Sequence, residues 1–248
     1  MDSVRRLLQP VIFLVVIGGI WEFGVRYFEI HPYLLPPVSD ILQAGWLSRG
    51  ELWQHGIITF WEILIGFAAA VVCGVLVAVC VFFSAVARRT IYPMVTALQS
   101  LPKIALAPLM IVWFGYGIMS KLIMTFLFAF FPIVISTLGG LSSTQETLLE
   151  HFRALRASPW STFWRLRVPA ALPSFIDGCK IAMPLAVIGA IIGEFVGSER
   201  GLGNLILFTM SAGRTDLLFA TLLAVTVLSL VLYWAIEALG RLVWWRSL

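Results

Sequence analysis

The residues of this chain able to do chemistry are few, and most of them interrupt long apolar runs. Gln99, Ser100 and Lys103 flank Pro102, while Glu62, Asp177, Lys180 and Glu194 break other apolar stretches. A polar group at membrane depth is costly, so each is a candidate for handling a polar solute. Bond-making chemistry is not indicated. The sequence has no Gly-x-Ser-x-Gly elbow, no paired His/Glu metal motif and no Cys/His pair. It also lacks the Gly-x-x-x-x-Gly-Lys-Ser/Thr loop that cradles ATP phosphates. Cys73, Cys80 and Cys179 stand in apolar runs without a Cys-x-x-Cys, and read as buried small hydrophobes.

The elements that position these residues follow from composition. Of 248 residues, 60% are apolar and 12% charged, with a mean hydropathy of +0.96. Soluble domains run at about 45–50% apolar and about 25% charged. The excess excludes a soluble enzyme, a disordered tail and a nucleic-acid binder, and makes lipid the solvent for most of the chain. Six stretches have the length and apolarity of a spanning helix: 10–28, 57–86, 91–117, 121–141, 174–196 and 217–245. The expected fold is therefore an all-α membrane protein with six transmembrane helices, a single domain over 1–248. The third stretch contains Pro93, Pro102 and Pro108, which should break it. The first follows Arg5 and Arg6 but lacks a small-x-small cleavage site, and reads as an uncleaved anchor.

Arginine and lysine set the orientation. Arg5, Arg6, Arg88, Arg89, Arg153, Arg156, Arg165, Arg167, Arg241 and Arg246 make ten on one side; Arg26, Arg49, Lys121, Arg200 and Arg214 make five on the other. The ten-residue side is expected in the cytoplasm, with both termini inside and Trp244, Trp245 and Arg246 anchoring the last helix. The net charge of +4 reflects this bias and not a polyanionic partner. Outside, Ser39 or Asp40 could cap a short surface helix. Gly201-Leu202-Gly203 precedes an apolar stretch too short to span.

One inner loop, 142–173, differs from the rest. Leu148, Phe152 and Leu155 recur at helical spacing, with Glu146, Glu150, Arg153 and Arg156 elsewhere. Ser158 is a good N-cap and Pro159 a good first helical residue. Trp160, Phe163, Trp164 and Arg167 follow, and Val168-Pro169 should end the second helix. Pattern alone supports two readings: a surface for a protein partner, since Trp and Arg dominate hot spots, or an amphipathic element lying on lipid.

Glu150 through Ser158, followed by Phe163 and Leu166 through Pro169, resembles the EAA motif of permease subunits of ATP-binding-cassette importers. Glu150, Ala157, Ser158 and Pro169 match by position. His151 and Phe152 replace two alanines, Arg156 the glycine and Val168 the leucine. Arg156 must then make the tight turn without glycine's cheap positive φ. Further segments are similar to the nitrate, sulfonate and taurine importer family. They are Leu34 to Ile41, Gly66-Phe67, Leu101 to Pro108, Trp113 to Gly117, Ser120-Lys121, Phe130 to Pro132, and Gly193 to Val196 ahead of Gly201 to Gly203. Glu62 to Phe67 and Ala186 to Val196 look most like its branch for thiamine pyrimidine precursors and riboflavin.

That resemblance implies a type I ABC importer permease fold in the inner membrane, without cofactor or catalytic residues. It implies a second permease copy (a homodimer), two separate ATPase subunits inside and a soluble substrate-binding protein outside. The ATPases would grip the loop through Glu150, Arg153, Arg156, Ala157, Ser158, Trp160, Phe163 and Pro169. Gln99, Ser100, Lys103 and Glu194 are candidates for the translocation pathway. For Lys103 the alternative is snorkelling or pairing with Glu62. For Glu194 it is a salt bridge to Arg200 or Arg214. Asp177 and Lys180, three apart, should pair. Gly189 and Gly193 form a Gly-x-x-x-Gly assigned to the dimer seam. From another class comes a self-sufficient secondary carrier or channel, which would leave the 142–173 loop unexplained.

Overall fold

A computed structural model describes residues 2–244. Trp245 and Arg246, expected anchors, lie outside these, as do the side chains of Arg5, Arg6 and Trp244. The described elements are helical. They are α1 (Asp2–Tyr27), α2 (Val38–Leu47), α3 (Arg49–Phe83), α4 (Ala85–Gln99), a 3-10 turn (Lys103–Leu106), α5 (Ala107–Phe114) and α6 (Ile118–Ser142). There follow α7 (Glu146–Ala154), α8 (Pro159–Thr162), a π-turn (Phe163–Arg167), α9 (Val168–Gly197), α10 (Leu202–Ser211) and α11 (Thr215–Trp244). Four helical runs are long and apolar enough to cross a membrane, or five if a bent pair counts as one broken span.

That bent pair is α4 with Lys103–Phe114, turned by 90°. Only one of the three expected proline breaks occurs. Pro93 sits within α4, and Pro108 occupies the first turn of α5, where its missing N–H costs nothing. The break falls at Pro102, which lacks an N–H and disfavours helix at the residue before it.

Helix α6 is the axis of the bundle, packed between α3 and α9. Between apolar helices in lipid the gain comes from close backbone approach, which small residues permit. Gly66, Ala70, Gly74 and Ala78 form a buried stripe on α3, where Gly66 faces Thr125 and Gly74 faces Ile133. On α9, Gly178 faces Ser136, Gly189 the backbone of Met124 and Thr125, and Gly193 that of Lys121. The assignment of Gly189 and Gly193 to a dimer seam is thereby corrected: they face α6 of their own chain. Ile63, Met124, Ile133 and Met183 are fully buried around this seam. The cysteine expectation holds only for Cys179; Cys73 and Cys80 are exposed.

At the opposite edge α2 packs Ile41 and Ala44 against Leu217 and Ala220 of α11. Neither Ser39 nor Asp40 caps α2, which begins after Pro37 without a side-chain cap of its own. Glu22 of α1 does this instead. Its Oε2 accepts from the Ser39 backbone N–H at 3.1 Å and its Oε1 pairs with Arg26 at 2.7 Å. A carboxylate at a helix N-terminus satisfies free N–H groups and meets the positive end of the dipole.

A Cβ at Gly189 would stand 2.8 Å from the Met124 carbonyl oxygen, whereas one at Gly139 meets nothing within 4 Å. Gly189→Ala is expected to destabilise the bundle by about 1–3 kcal/mol and Gly139→Ala to leave it unchanged. Thermal unfolding of the purified variants in detergent checks the contrast.

Candidate functional site

The expected pathway residues separate into two places. Gln99 and Ser100 are exposed at the end of α4, beside the 90° bend. Lys103 is half-buried and does not pair with Glu62. Its Nζ lies 4.7 Å from the ring centroid of Phe131 and 5.5 Å from that of Phe128. No carboxylate pairs with it among the described residues. Cation–π contact holds the ammonium at the bend, with donors left for a ligand.

Glu194 belongs to a second place, inside the bundle. It is fully buried and does not pair with Arg200 or Arg214. Its Oε1 accepts from Thr59 Oγ1 at 2.6 Å, and its Oε2 from the Gly203 backbone N–H at 2.5 Å. Thr59 Oγ1 in turn accepts from the Leu202 N–H at 2.9 Å. One turn along α3, Glu62 is ion-paired to Lys121, whose Nζ also reaches Ser198 Oγ at 3.0 Å. His55 Nδ1 accepts from the Gly201 N–H at 3.1 Å. These bonds hold the 198–203 link and the start of α10 against α3, α6 and α9. Gly201 and Gly203 lie so close to the Glu194 carboxyl that a Cβ at either position would clash with it. Gly201 also has φ +117, a backbone that side chains resist.

Sequence reasoning did not find this cluster. Thr59, His55 and Ser198 are ordinary residues in sequence, and Lys121 was counted in an outer loop although it is only 6% exposed. The legible signals were two acids, Glu62 and Glu194, inside apolar runs; nothing in the sequence joined them to each other's neighbours.

The third place is the 142–173 segment, at the other end of the bundle. From Glu62 to Phe83 is 21 residues of α3, about 30 Å at helical rise, roughly the thickness of a bilayer core. Helices α7 and α8 form a hairpin. Its turn is a Schellman motif, with Ala157 N–H to Phe152 O at 3.0 Å and Arg156 N–H to Arg153 O at 2.9 Å. Arg156 does take a positive φ, +55°, and so bears the strain that glycine would avoid. Ser158 caps α8 as expected, accepting from the Ser161 N–H at 3.2 Å.

Two expectations for this segment are corrected. The second helix does not end at Val168-Pro169; it continues through the π-turn into α9, with Pro169 just beyond the π-turn. Phe163 is not on the outer face. It is 3% exposed, packed with Leu141 and Ala171 and against the rings of Phe82 and Phe83. Arg167 also faces inward, donating to the Leu141 carbonyl at 2.9 Å and lying over Phe82. Glu150, Arg153, Arg156, Ser158, Trp160 and Pro169 are exposed and Ala157 is partly so. Of the first helix, Leu149 is buried whereas Leu148 and Leu155 are exposed, so an apolar surface with Trp160 and Trp164 faces outward.

Asp177 and Lys180 pair at 3.3 Å, and Lys180 also reaches Glu237 at 2.6 Å, tying α9 to α11.

An apolar bundle with a polar bend, an internal polar lock and a helical hairpin at one end defines a membrane transport component. The family model described as the binding-protein-dependent transport system inner membrane component matches residues 70–245, and the chain belongs to that family. It is 38% identical over 249 residues to the formylaminopyrimidine transport permease protein ThiX of Halalkalibacterium halodurans, covering 100% of this chain and 99% of the relative. The riboflavin transport system permease protein RibX of Chloroflexus aurantiacus is 31% identical over 97% of this chain and 92% of its own. Among solved structures, an inward-facing methionine ABC transporter, MetNI, aligns with a TM-score of 0.62 at 23% identity, covering 80% of this chain and 96% of that one. This likeness is one of fold, that of a type I ABC importer permease. The chain is therefore a multi-pass inner-membrane permease subunit of a binding-protein-dependent, ATP-driven importer. Permeases of this family work with separate ATPase subunits and a binding protein. The secondary-carrier reading is set aside by this membership.

Replacing Arg156 by glycine should relieve the left-handed backbone and raise stability by about 1 kcal/mol. For a chain of this size that is a rise of roughly 2–4 °C in melting temperature, readable by thermal unfolding in detergent.

Proposed function

We propose that the chain crosses the membrane six times with both termini in the cytoplasm, and pairs with a second copy around a central path. The 142–173 hairpin then lies in the cytoplasm as the coupling element for two ATPase subunits. One observation carries this reading. The second arm of the hairpin and α9 form a single helical run, Pro159–Gly197, of 39 residues. A push at Trp160 is transmitted over about 50 Å of helix toward Glu194. Phe163 and Arg167 clamp the near end of that run to α3 and α6, so the hairpin cannot swing without moving the bundle. Closure of the ATPases would thus tilt α9 and shift the balance between inward- and outward-open states.

The path is assigned to the bend at Gln99, Ser100 and Lys103, where exposed polar groups and freed backbone lie together. The solute class follows the full-length similarity to a formylaminopyrimidine permease: a small, polar aminopyrimidine. Lys103 suits it as a hydrogen-bond donor to a ring or formyl oxygen.

Three outcomes test this. Trp160→Ala or Glu150→Lys should reduce ATPase co-purification, the former by about 30-fold in affinity if Trp160 is a hot spot, while the permease still accumulates. Unchanged co-purification in both removes the coupling role. Lys103→Met should lower uptake of labelled formylaminopyrimidine at least tenfold with the complex intact. Competition by riboflavin or taurine, but not by the pyrimidine, would reassign the solute. Finally, single cysteines at Trp160 and Ser198 should react with a membrane-impermeant reagent only from inside and outside, respectively.

A further inference from the structure

Four charged side chains meet where α9 and α11 cross: Asp177 and Lys180 on α9, Glu237 and Arg241 on α11. With Ile176 and Gly240 they line a cleft of about 350 Å³. Gly240 permits the crossing, since a Cβ there would stand 2.8 Å from Ile176 Cγ2. The charges alternate in sign. Lys180 sits between Asp177, at 3.3 Å, and Glu237, at 2.6 Å, and Glu237 reaches Arg241 Nε at 3.4 Å. The middle pair is satisfied and the two ends are open. The Asp177 side chain is 62% exposed and that of Arg241 75%. Among the described residues, Asp177 Oδ2 and both terminal nitrogens of Arg241 have no partner.

Depth makes this exposure informative. Gly178, next to Asp177, lies against Ser136 of α6. Ser136 is six residues, about 9 Å, from the end of α6 at Ser142. An exposed carboxylate so far inside is costly in lipid, and such groups face a water-filled cavity or the interior of an assembly. The same face of α9 leads to the bend. At about 100° per residue, Asp177, Ile181, Ile188 and Phe195 fall within about 40° of one another, and all four are exposed. Helix α5 borders this face on one side, where Ala107 and Met110 share an apolar cluster with Leu185 and Ile192. Helix α11 borders it on the other, where Leu232 packs with Met183 and Val187. Phe128, which lies under Lys103, belongs to the α5 cluster. The open face of α9 thus connects the neighbourhood of Lys103 with the charged cleft.

We propose that this cleft is a second solute site on the path, on the hairpin side of Lys103. The Asp177 carboxylate accepts from an amino N–H of the solute, and the Arg241 guanidinium donates to a carbonyl oxygen or ring nitrogen. The Lys180–Glu237 pair fixes the spacing between them. The four charges sum to zero, so the site favours a neutral planar solute with a donor at one edge and an acceptor at another, as in the aminopyrimidine class assigned above. The proposal deepens that reading and rests on it for the course of the path and for its sidedness.

The assembled importer provides the test. In a chain with Cys73, Cys80 and Cys179 replaced by alanine, Ile181→Cys places a thiol one turn from Asp177. It should react with a charged, membrane-impermeant reagent applied from the hairpin side, and formylaminopyrimidine should slow that reaction. Adding Asp177→Asn or Arg241→Gln should raise the half-protecting concentration about tenfold, the loss of one hydrogen bond to a charged group. Asp177→Asn in the otherwise native chain should lower uptake about tenfold. Its ATP hydrolysis and melting temperature should stay at the wild-type level, because an exposed ion pair adds little to folding. Reaction with membrane-permeant reagents only, or protection by added phosphatidylethanolamine and not by the pyrimidine, makes the cleft a lipid contact and overturns the proposal. Normal uptake in Asp177→Asn alongside lost uptake in Lys103→Met also overturns it and spares the bend. Lost uptake in Asp177→Asn alongside normal uptake in Lys103→Met sustains the cleft and removes Lys103 from the path.

Discussion

The bundle depends on how closely α6 can approach α3 and α9. Between helices in lipid there is no large gain from expelling water, so cohesion has to come from backbone proximity and interlocked side chains. Gly66 and Gly74 on one side of α6, and Gly178, Gly189 and Gly193 on the other, remove the Cβ atoms that would hold the axes apart. Thr125, Ser136 and Ile133 of α6 fill the spaces so created. The polar clusters at its two ends are fastened to this three-helix core.

Two such devices sit at opposite ends of it. Toward the start of α6, Glu62, Thr59, Lys121 and Glu194 hold the 198–203 link and α10. Toward its end, Arg167 bonds the Leu141 carbonyl and Phe163 fills the gap between α3, α6 and α9. Helix α9 joins the two ends, and α4 with α5, the one bent pair among the described residues, lies beside the core. The helix that links the two ends is thus continuous, whereas the segment beside it with exposed polar residues is bent. The π-turn at Phe163–Arg167 and the strained Arg156 mark where the hairpin is attached to α9 and where it doubles back.

Much of this was readable in advance where the signal is local. Ser158 and Pro159 start a helix, Asp177 and Lys180 pair, and the apolar run after Gly203 is short. The readings that failed concern direction. Phe163 and Trp160 stand three apart, yet one is buried and the other 63% exposed, because Leu141, Ala171 and Phe82 pack on Phe163 while Trp160 lies at the edge of the cluster. Val168-Pro169 looked like a stop, but it follows directly on the π-turn Phe163–Arg167, where the hydrogen-bond register shifts to five residues, and the helical run passes through it. Ser39 looked like a cap for α2, yet the cap comes from Glu22, 17 residues earlier.

From sequence alone came the membrane environment, the helical class and the family resemblance, now matched by the family model. These are properties of composition and of short-range spacing, which a linear chain states openly. Only the tertiary structure decided that Glu62 meets Lys121 and not Lys103, that Glu194 holds Gly203 and not an arginine, and that the glycines of α9 face α6 of the same chain. Residues 59 positions apart, such as Glu62 and Lys121, leave no local trace of their contact. The contact exists because two helices cross at a distance set by glycines elsewhere on their surfaces.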